Sequence, residues 1–186
     1  MATRADPYYR PITVEEFFSL TLSSDRKFEL DRGVIVAMAG GTRRHAQVQG
    51  NLFVALHSRL RGSPCRPFGS DMAIKTSDSS VRYPDASVVC GVTAADDAET
   101  SFDNPMLIAE ILSPTTRDND LGTKLKEYEA LASLEMILFI DPADETIRLH
   151  QRLGPDSWRI DKRLEGDIPL PSLNITLPRA EIFARD

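Results

Sequence analysis

Cysteine is scarce in this chain: Cys65 and Cys90 are the only two in 186 residues. Two are too few for a disulfide framework, and they lack the paired spacing of a zinc site, so a reducing compartment is the natural setting. Long apolar runs are missing as well. The longest, Val34 to Ala39, falls far short of the roughly 20 residues a helix needs to cross a bilayer, and no positively charged apolar leader opens the sequence. A cytoplasmic protein is expected, neither secreted nor membrane-bound. Internal repeats, low-complexity tracts and linkers are absent too. With a hydrophobic content of 41%, residues 1–186 are expected to form one domain around one core.

Acidic residues are absent from Arg32 to Ser70, yet Arg32, Arg43, Arg44, Arg59, Arg61 and Arg66 all fall there. The whole chain carries a formal charge of -6, which disfavours unspecific attraction to nucleic acid, because such affinity comes mostly from neutralising phosphates. A local basic face is nevertheless available to a polyanion, while acids collect in Asp96, Asp97, Glu99 and Asp103 and from Asp118 to Glu129. The plainer reading of the arginines is a solvated helix surface.

Thr13 followed by Glu16 forms a capping box, so a short helix starts there, held down by Phe17, Phe18 and Leu20. Lys27 to Leu30, the turn Asp31-Arg32-Gly33 and Val34 to Ala39 read as a β-hairpin. Gly40-Gly41-Thr42 breaks the strand. His45, Gln49, Leu52, Phe53, Leu56 and Leu60 then recur at helical spacing until Gly62-Ser63-Pro64. Gly50 inside that helix costs about 1 kcal/mol against alanine, which suggests a close approach by something else. Strands follow at Asp71 to Thr76, Tyr83 to Cys90 and Met106 to Leu112, with the polar stretch Thr93 to Asn104 as a surface loop. A second helix from Asp118 carries Leu121, Leu125, Tyr128 and Leu131 on one stripe. Met136 to Asp141 returns as a strand, and the strand-helix-strand order implies a parallel pair. Glu145 to Gln151 and Trp158 to Lys162 form a meander, and Pro178 opens a terminal helix.

Two acids stand out against this pattern. Asp85 and Glu110 interrupt strongly apolar strands, where a carboxylate is costly unless something compensates it, and two such residues on neighbouring strands are able to share a hard cation. Magnesium takes few protein carboxylates and fills its remaining positions with water and phosphate oxygens, so a site this sparse is sufficient.

Tyr83-Pro84-Asp85-Ala86-Ser87-Val88-Val89-Cys90, a spacer, and Pro105-Met106-Leu107-Ile108-Ala109-Glu110-Ile111-Leu112-Ser113-Pro114-Thr115-Thr116 resemble the Uma-type restriction endonuclease family. Phe28-Glu29-Leu30-Asp31-Arg32-Gly33 upstream and Lys124 and Tyr128 downstream match as well. The resemblance implies an α/β fold of the restriction endonuclease-like, PD-(D/E)XK type: a mixed central β-sheet of four strands flanked by helices, with additional antiparallel strands. It also implies an endonuclease that hydrolyses phosphodiester bonds in DNA using Mg²⁺ or Mn²⁺. Asp85 and Glu110 then take the places of metal ligands, with the Ile111 carbonyl beside them, and Glu29 that of an early glutamate that orients or binds metal. Leu112 occupies the usual lysine position, and Lys124 on the following helix is the match for the displaced lysine. Val34 stands where the family usually has an acid and receives no role.

Each residue also has a plainer reading. Asp85 and Glu110 taken singly suit satisfied structural acids, and Lys124 suits an i,i+4 pair with Asp120. His45 is read as a helix-start residue facing loop or solvent rather than a ligand or base, and His57 and His150 have no evident partner. Ser113 is read as a cap because no histidine is near it. Ser70-Asp71 is either a turn or part of the cleft wall. The alternative function is a catalytically weak nucleic-acid-binding or homodimeric structural module that keeps the nuclease fold.

Overall fold

The Thr13 hydroxyl accepts the Glu16 N–H while the Glu16 carboxylate accepts the Thr13 N–H, and this reciprocal cap starts helix α1 (Val14–Ser19). Val14 and Phe17 pin it to the core, whereas Phe18 and Leu20, expected to do the same, are exposed. The computed structural model of the protein describes residues 10–20 and 27–185. Strands β1 (Phe28–Asp31) and β2 (Val34–Ala37) form the expected hairpin. Its two turn residues, Arg32 and Gly33, have φ of 49° and 79°, the backbone that a tight hairpin turn demands. A Cβ on Gly33 would lie 2.2 Å from the Pro11 Cβ, so glycine is required there twice over.

Helix α2 (Arg43–Leu60) begins at Thr42, whose hydroxyl accepts the His45 N–H. Its buried stripe is Val48, Leu52, Ala55, Leu56 and Leu60. Gly50 lies on the open side, and a Cβ there would meet nothing within 4 Å, so the expected close approach is not made by the protein itself. Gly50→Ala is therefore expected to raise stability by about 1 kcal/mol, read from urea denaturation, because only helix propensity changes. A loss of stability would mean that the helix is packed at this point.

Strands β3 (Cys65–Gly69), β4 (Ala73–Ser77), β5 (Ser80–Arg82) and β6 (Ala86–Cys90) follow. The expected strand Tyr83 to Cys90 starts only at Ala86, because Pro84 cannot donate to a ladder and the chain crosses between two sheets at Tyr83-Pro84-Asp85. The polar loop holds a turn of 3-10 helix at Ala94–Asp96 and the short β7 (Ser101–Phe102) before β8 (Pro105–Ile111). The expected continuous second helix is broken into α3 (Arg117–Asn119), a π-turn over Asp120–Lys124 and α4 (Leu125–Glu129). Strands β9 (Met136–Asp141), β10 (Thr146–Gly154), β11 (Ser157–Asp161), β12 (Ile168–Leu170) and β13 (Ile175–Leu177) lead to α5 (Arg179–Ile182).

The central sheet has six strands in the order β11-β10-β9-β8-β6-β3, larger than the expected four. Within it β8 and β9 are parallel, as the strand-helix-strand order implied, and the other pairs are antiparallel. A second sheet runs β2-β1-β5-β4-β7. On β8 the side chains alternate. Leu107, Ala109 and Ile111 join the core under α2, while Ile108 joins Tyr128 and Phe139 in the cluster on the other face. Glu110 shares the second face.

The cysteines depart from expectation. Cys65 and Cys90 are direct partners across β3 and β6 and are joined by a disulfide, a neighbourhood that their separation of 25 positions in the sequence does not reveal. No helix among the described residues is long and apolar enough to cross a membrane.

Candidate active site

Asp85 is placed by the crossing between the sheets. Its Oδ2 accepts the Ile111 N–H at 2.7 Å, and its backbone carbonyl accepts from the Gln49 side-chain amide at 3.0 Å. The register of β6 against β8 pairs Ala86 with Ala109, so one further step along the ladder sets Asp85 beside Glu110. His45 Nε2 lies 3.3 Å from Asp85 Oδ2. The imidazole is thus turned into the site from the first turn of α2, contrary to the expectation that it faces loop or solvent. The hydrogen bond to Asp85 raises its pKa against the opposing effect of burial, with Glu110 and the Ile111 backbone adding to the rise.

Glu110 is only 4% exposed. Its Oε1 accepts from the Tyr128 hydroxyl at 2.6 Å and from Lys124 Nζ at 3.2 Å. Burial pushes the carboxyl up to about 8; Lys124 and Tyr128 oppose the shift, and the charges of Asp85 and Asp120 reinforce it.

Lys124 is enclosed by acids. Its Nζ lies 3.1 Å from Glu29 Oε1 and 3.4 Å from Asp120 Oδ1, besides the contact with Glu110. The i,i+4 pair with Asp120 is present, but it is one of three contacts. Asp120 and Lys124, the two ends of the π-turn, are both buried, and such turns recur at functional positions. Burial by itself lowers the lysine pKa, but Glu110, Glu29 and Asp120 outweigh it and hold the ammonium charged. Asp120 is raised, first by burial, and its Oδ1 has no hydrogen-bond partner despite the ammonium nearby.

Glu29 accepts the Tyr83 N–H on Oε1 at 3.2 Å and Arg82 Nη1 on Oε2 at 3.3 Å. Arg82, 1% exposed, also meets Asp31 at 3.0 Å and Glu127 at 2.7 Å, which keeps the guanidinium charged despite burial. Arg82 was not singled out in the sequence, and Asp120 was read only as the i,i+4 partner of Lys124. The one signal for Arg82 was a charge directly before the expected strand Tyr83 to Cys90.

The basic stretch is largely consumed by internal contacts. Arg44 donates to Glu145 and to the carbonyls of Phe183 and Ala184, Arg59 pairs with Glu181, Arg32 with Asp31, and Arg66 caps the carbonyls of Ser63 and Cys65. Among the described residues Arg43 and Arg61 form no ion pair and are exposed. Ser113 caps the backbone of Thr116, as read. Ser70 and Asp71 line a cavity that ends at Asp85. His150 lies 3.4 Å from Glu129 without a hydrogen bond, and Val34 is exposed on the hairpin.

Among the described residues no group of three or more His, Cys, Asp or Glu side chains is drawn together tightly enough to hold a metal ion. The reason is visible in the contacts: the Lys124 ammonium sits between Glu29, Glu110 and Asp120, and His45 sits on Asp85. The donor set itself suits a hard cation, being carboxylate and carbonyl oxygen. The orphaned Asp120 Oδ1 and the upward-shifted Glu110 are also features that added positive charge would relieve.

A mixed sheet flanked by helices, with acids at the ends of its central strands, is the fold of the restriction endonuclease-like nucleases. A crystal structure titled "putative nuclease belonging to DUF820", from Anabaena variabilis, superposes on this chain with a TM-score of 0.74 at 20% identity, covering 93% of this chain and 98% of that one. The Uma2 family, described as "Putative restriction endonuclease", matches residues 14–178, and the chain belongs to it. Two uncharacterized proteins of Synechocystis sp. are similar as well. One, slr1290, is 28% identical over 151 residues, covering 80% of this chain and 78% of that protein; the other, sll1609, is 28% identical over 149 residues, covering 79% and 84%.

Proposed function

We propose that the protein is a divalent-metal-dependent endonuclease that hydrolyses phosphodiester bonds in DNA. The observation that carries this reading is Glu110. A buried carboxyl pushed up to about 8, one ladder step from Asp85 and sharing the single Lys124 ammonium with Glu29 and Asp120, is an expensive arrangement for a purely structural role. Asp85, Glu110 and the Ile111 carbonyl would hold the ion. Mg²⁺ or Mn²⁺, when bound, supplies polarisation of the scissile phosphate and an acidified water. The protein's own groups do the rest. Lys124 remains protonated at neutral pH, so it serves as a fixed positive charge toward a phosphate and not as a base. Glu29, held by Arg82 and the Tyr83 N–H, orients Lys124, and His45 orients Asp85.

Incubation with single-stranded and duplex DNA in Mg²⁺, Mn²⁺ or EDTA tests the reading. Cleavage is expected only with metal, and Asp85→Asn is expected to slow it at least about a hundredfold, a loss typical of removing one charge-stabilising group. Cleavage that persists in EDTA, or an Asp85→Asn enzyme as fast as the parent, rejects this assignment. A second reading, a catalytically weak nucleic-acid-binding or homodimeric module, draws on the fact that Lys124 and His45 already compensate the acids. It predicts no heat of Mg²⁺ binding at millimolar concentration and no cleavage.

A further inference from the structure

Beside Asp85 lies a cavity of about 520 Å³, walled by α2 on one side and by β3 and the turn after it on the other. Phe53, Phe68 and Met72 make its wall apolar, and each of the three is only partly buried. Large apolar side chains kept open to solvent need a reason, and here the chain leaves room for an occupant. Gly50 and Gly69 both border the cavity, and a Cβ on either would meet nothing within 4 Å. Gly50 is thus retained in the middle of a helix, at a cost in propensity, where any larger residue would reach into this space. Phe68 is held against Phe102, with ring centroids 5.1 Å apart.

We propose that this cavity is a nucleobase pocket, which receives one unstacked base of the substrate strand and so seats the adjoining phosphate at Asp85. The proposal rests on the nuclease reading and adds to it a substrate preference. A base presents two apolar π-faces and a polar edge. The faces match Phe53 and Phe68, on which bases of any sequence can stack. The edge meets Gln49 and Ser70. The Gln49 amide nitrogen is committed to the Asp85 carbonyl, which turns the side-chain oxygen into the acceptor left for an exocyclic amine. Asp71 on the rim is paired with Lys27, which removes much of its repulsion toward the strand. The size falls within the usual range for small-molecule sites. Since bases inside a duplex are stacked and paired, the pocket selects strands whose bases are already free, in single-stranded or distorted DNA, over intact duplex.

The test uses the intact protein and a thymidine dodecamer carrying one central 2-aminopurine, whose fluorescence rises when it leaves the stack of its neighbours. Binding is measured in Ca²⁺ and again in EDTA, for the parent, Gly50→Ala and Gly50→Leu. Alanine is too short to obstruct the cavity and serves as the control for helix propensity; leucine projects into it from α2 and narrows the space between Phe53 and Phe68, and its melting temperature, expected not to fall, shows that the variant is folded. The parent and Gly50→Ala should bind with a fluorescence rise. Gly50→Leu should bind at least about tenfold more weakly with no rise, given the contribution of one stacked base. A dodecamer that is abasic at every position should bind the parent and Gly50→Leu equally, because it offers the pocket no base. If Gly50→Leu keeps parental affinity and fluorescence, the cavity holds something other than a base, such as an apolar side chain of a protein partner, and the proposal falls even where Mg²⁺-dependent cleavage is observed. If the Gly50 effects appear and cleavage does not, the pocket stands and the nuclease reading falls.

Discussion

Replacing Lys124 by methionine is expected to cost the metal-free protein about 3–5 kcal/mol, the range for removing one partner from a buried charge cluster. Methionine keeps the stem and its packing, so the change isolates the ammonium. Without it Glu29, Glu110 and Asp120 face one another with no cation between them, in a pocket where Lys124 itself is only 6% exposed. Glu110, with its carboxyl pushed up to about 8, is largely protonated at neutral pH, which relieves some of that repulsion and favours the lower end of the range there; the cost should grow above pH 8. A surface i,i+4 pair with Asp120 would be worth only about 0.3–0.5 kcal/mol. Urea denaturation in EDTA distinguishes the two scales, and a loss below about 1 kcal/mol would show that the acids do not depend on Lys124. Under the proposed function, Mg²⁺ should return part of the loss, because a ligand at a hundred times its Kd adds about 2.7 kcal/mol to the folded state. The cation and the ammonium then act on the same surplus of carboxylate.

The features legible in the sequence are those with a local cause. The capping box at Thr13 and Glu16, the hairpin turn at Arg32-Gly33 and the stripe of α2 each depend on residues within a few positions of one another. Asp85 and Glu110 could be singled out because they interrupt apolar runs, and the parallel pairing of β8 with β9 followed from the element order. What escaped the reading is non-local. Cys65 meets Cys90 only through strand register, and His45 reaches Asp85 only because α2 packs over the sheet crossing. The π-turn was not legible either: it interrupts the expected continuous helix over Asp120–Lys124, whereas the i,i+4 pairing of those two residues could be read from their spacing. Arg82 was hidden because its three partners, Glu29, Asp31 and Glu127, come from two distant segments. The same distance effect draws two arginines out of the basic stretch, since Arg44 and Arg59 are committed to acids and carbonyls from the far end of the chain, while Arg43 and Arg61 stay exposed.

Stability in EDTA should fall as pH rises from about 5 to 8, by an amount on the order of a few kcal/mol, and Glu110→Gln should remove most of that slope. The sign follows from the direction of the shift. Glu110 holds its proton more tightly in the folded chain, near 8, than at its ordinary value of 4.5. The folded state therefore binds more protons across that window. The resulting stabilisation is complete below the ordinary value and is lost as pH climbs through the folded one. Asp120 is raised as well, and so is His45, so both contribute slopes of the same sign that survive in Glu110→Gln. Lys124 contributes no slope here, because a lysine raised above its ordinary 10.5 stays protonated in both states throughout the window. Glutamine keeps the shape and accepts from Tyr128 and Lys124, but it cannot acquire the charge that burial penalises. Above pH 8 the variant should consequently be the more stable protein in EDTA. Mg²⁺ should reverse that order if it binds ionised Glu110, since it favours the charged form and gives the neutral amide of the variant no comparable help. Denaturation curves for both proteins at intervals from pH 5 to 9, with and without Mg²⁺, give the comparison. Parallel curves in EDTA would mean that Lys124 already neutralises Glu110 at neutral pH, and the site would then have no unmet charge for a metal ion to satisfy.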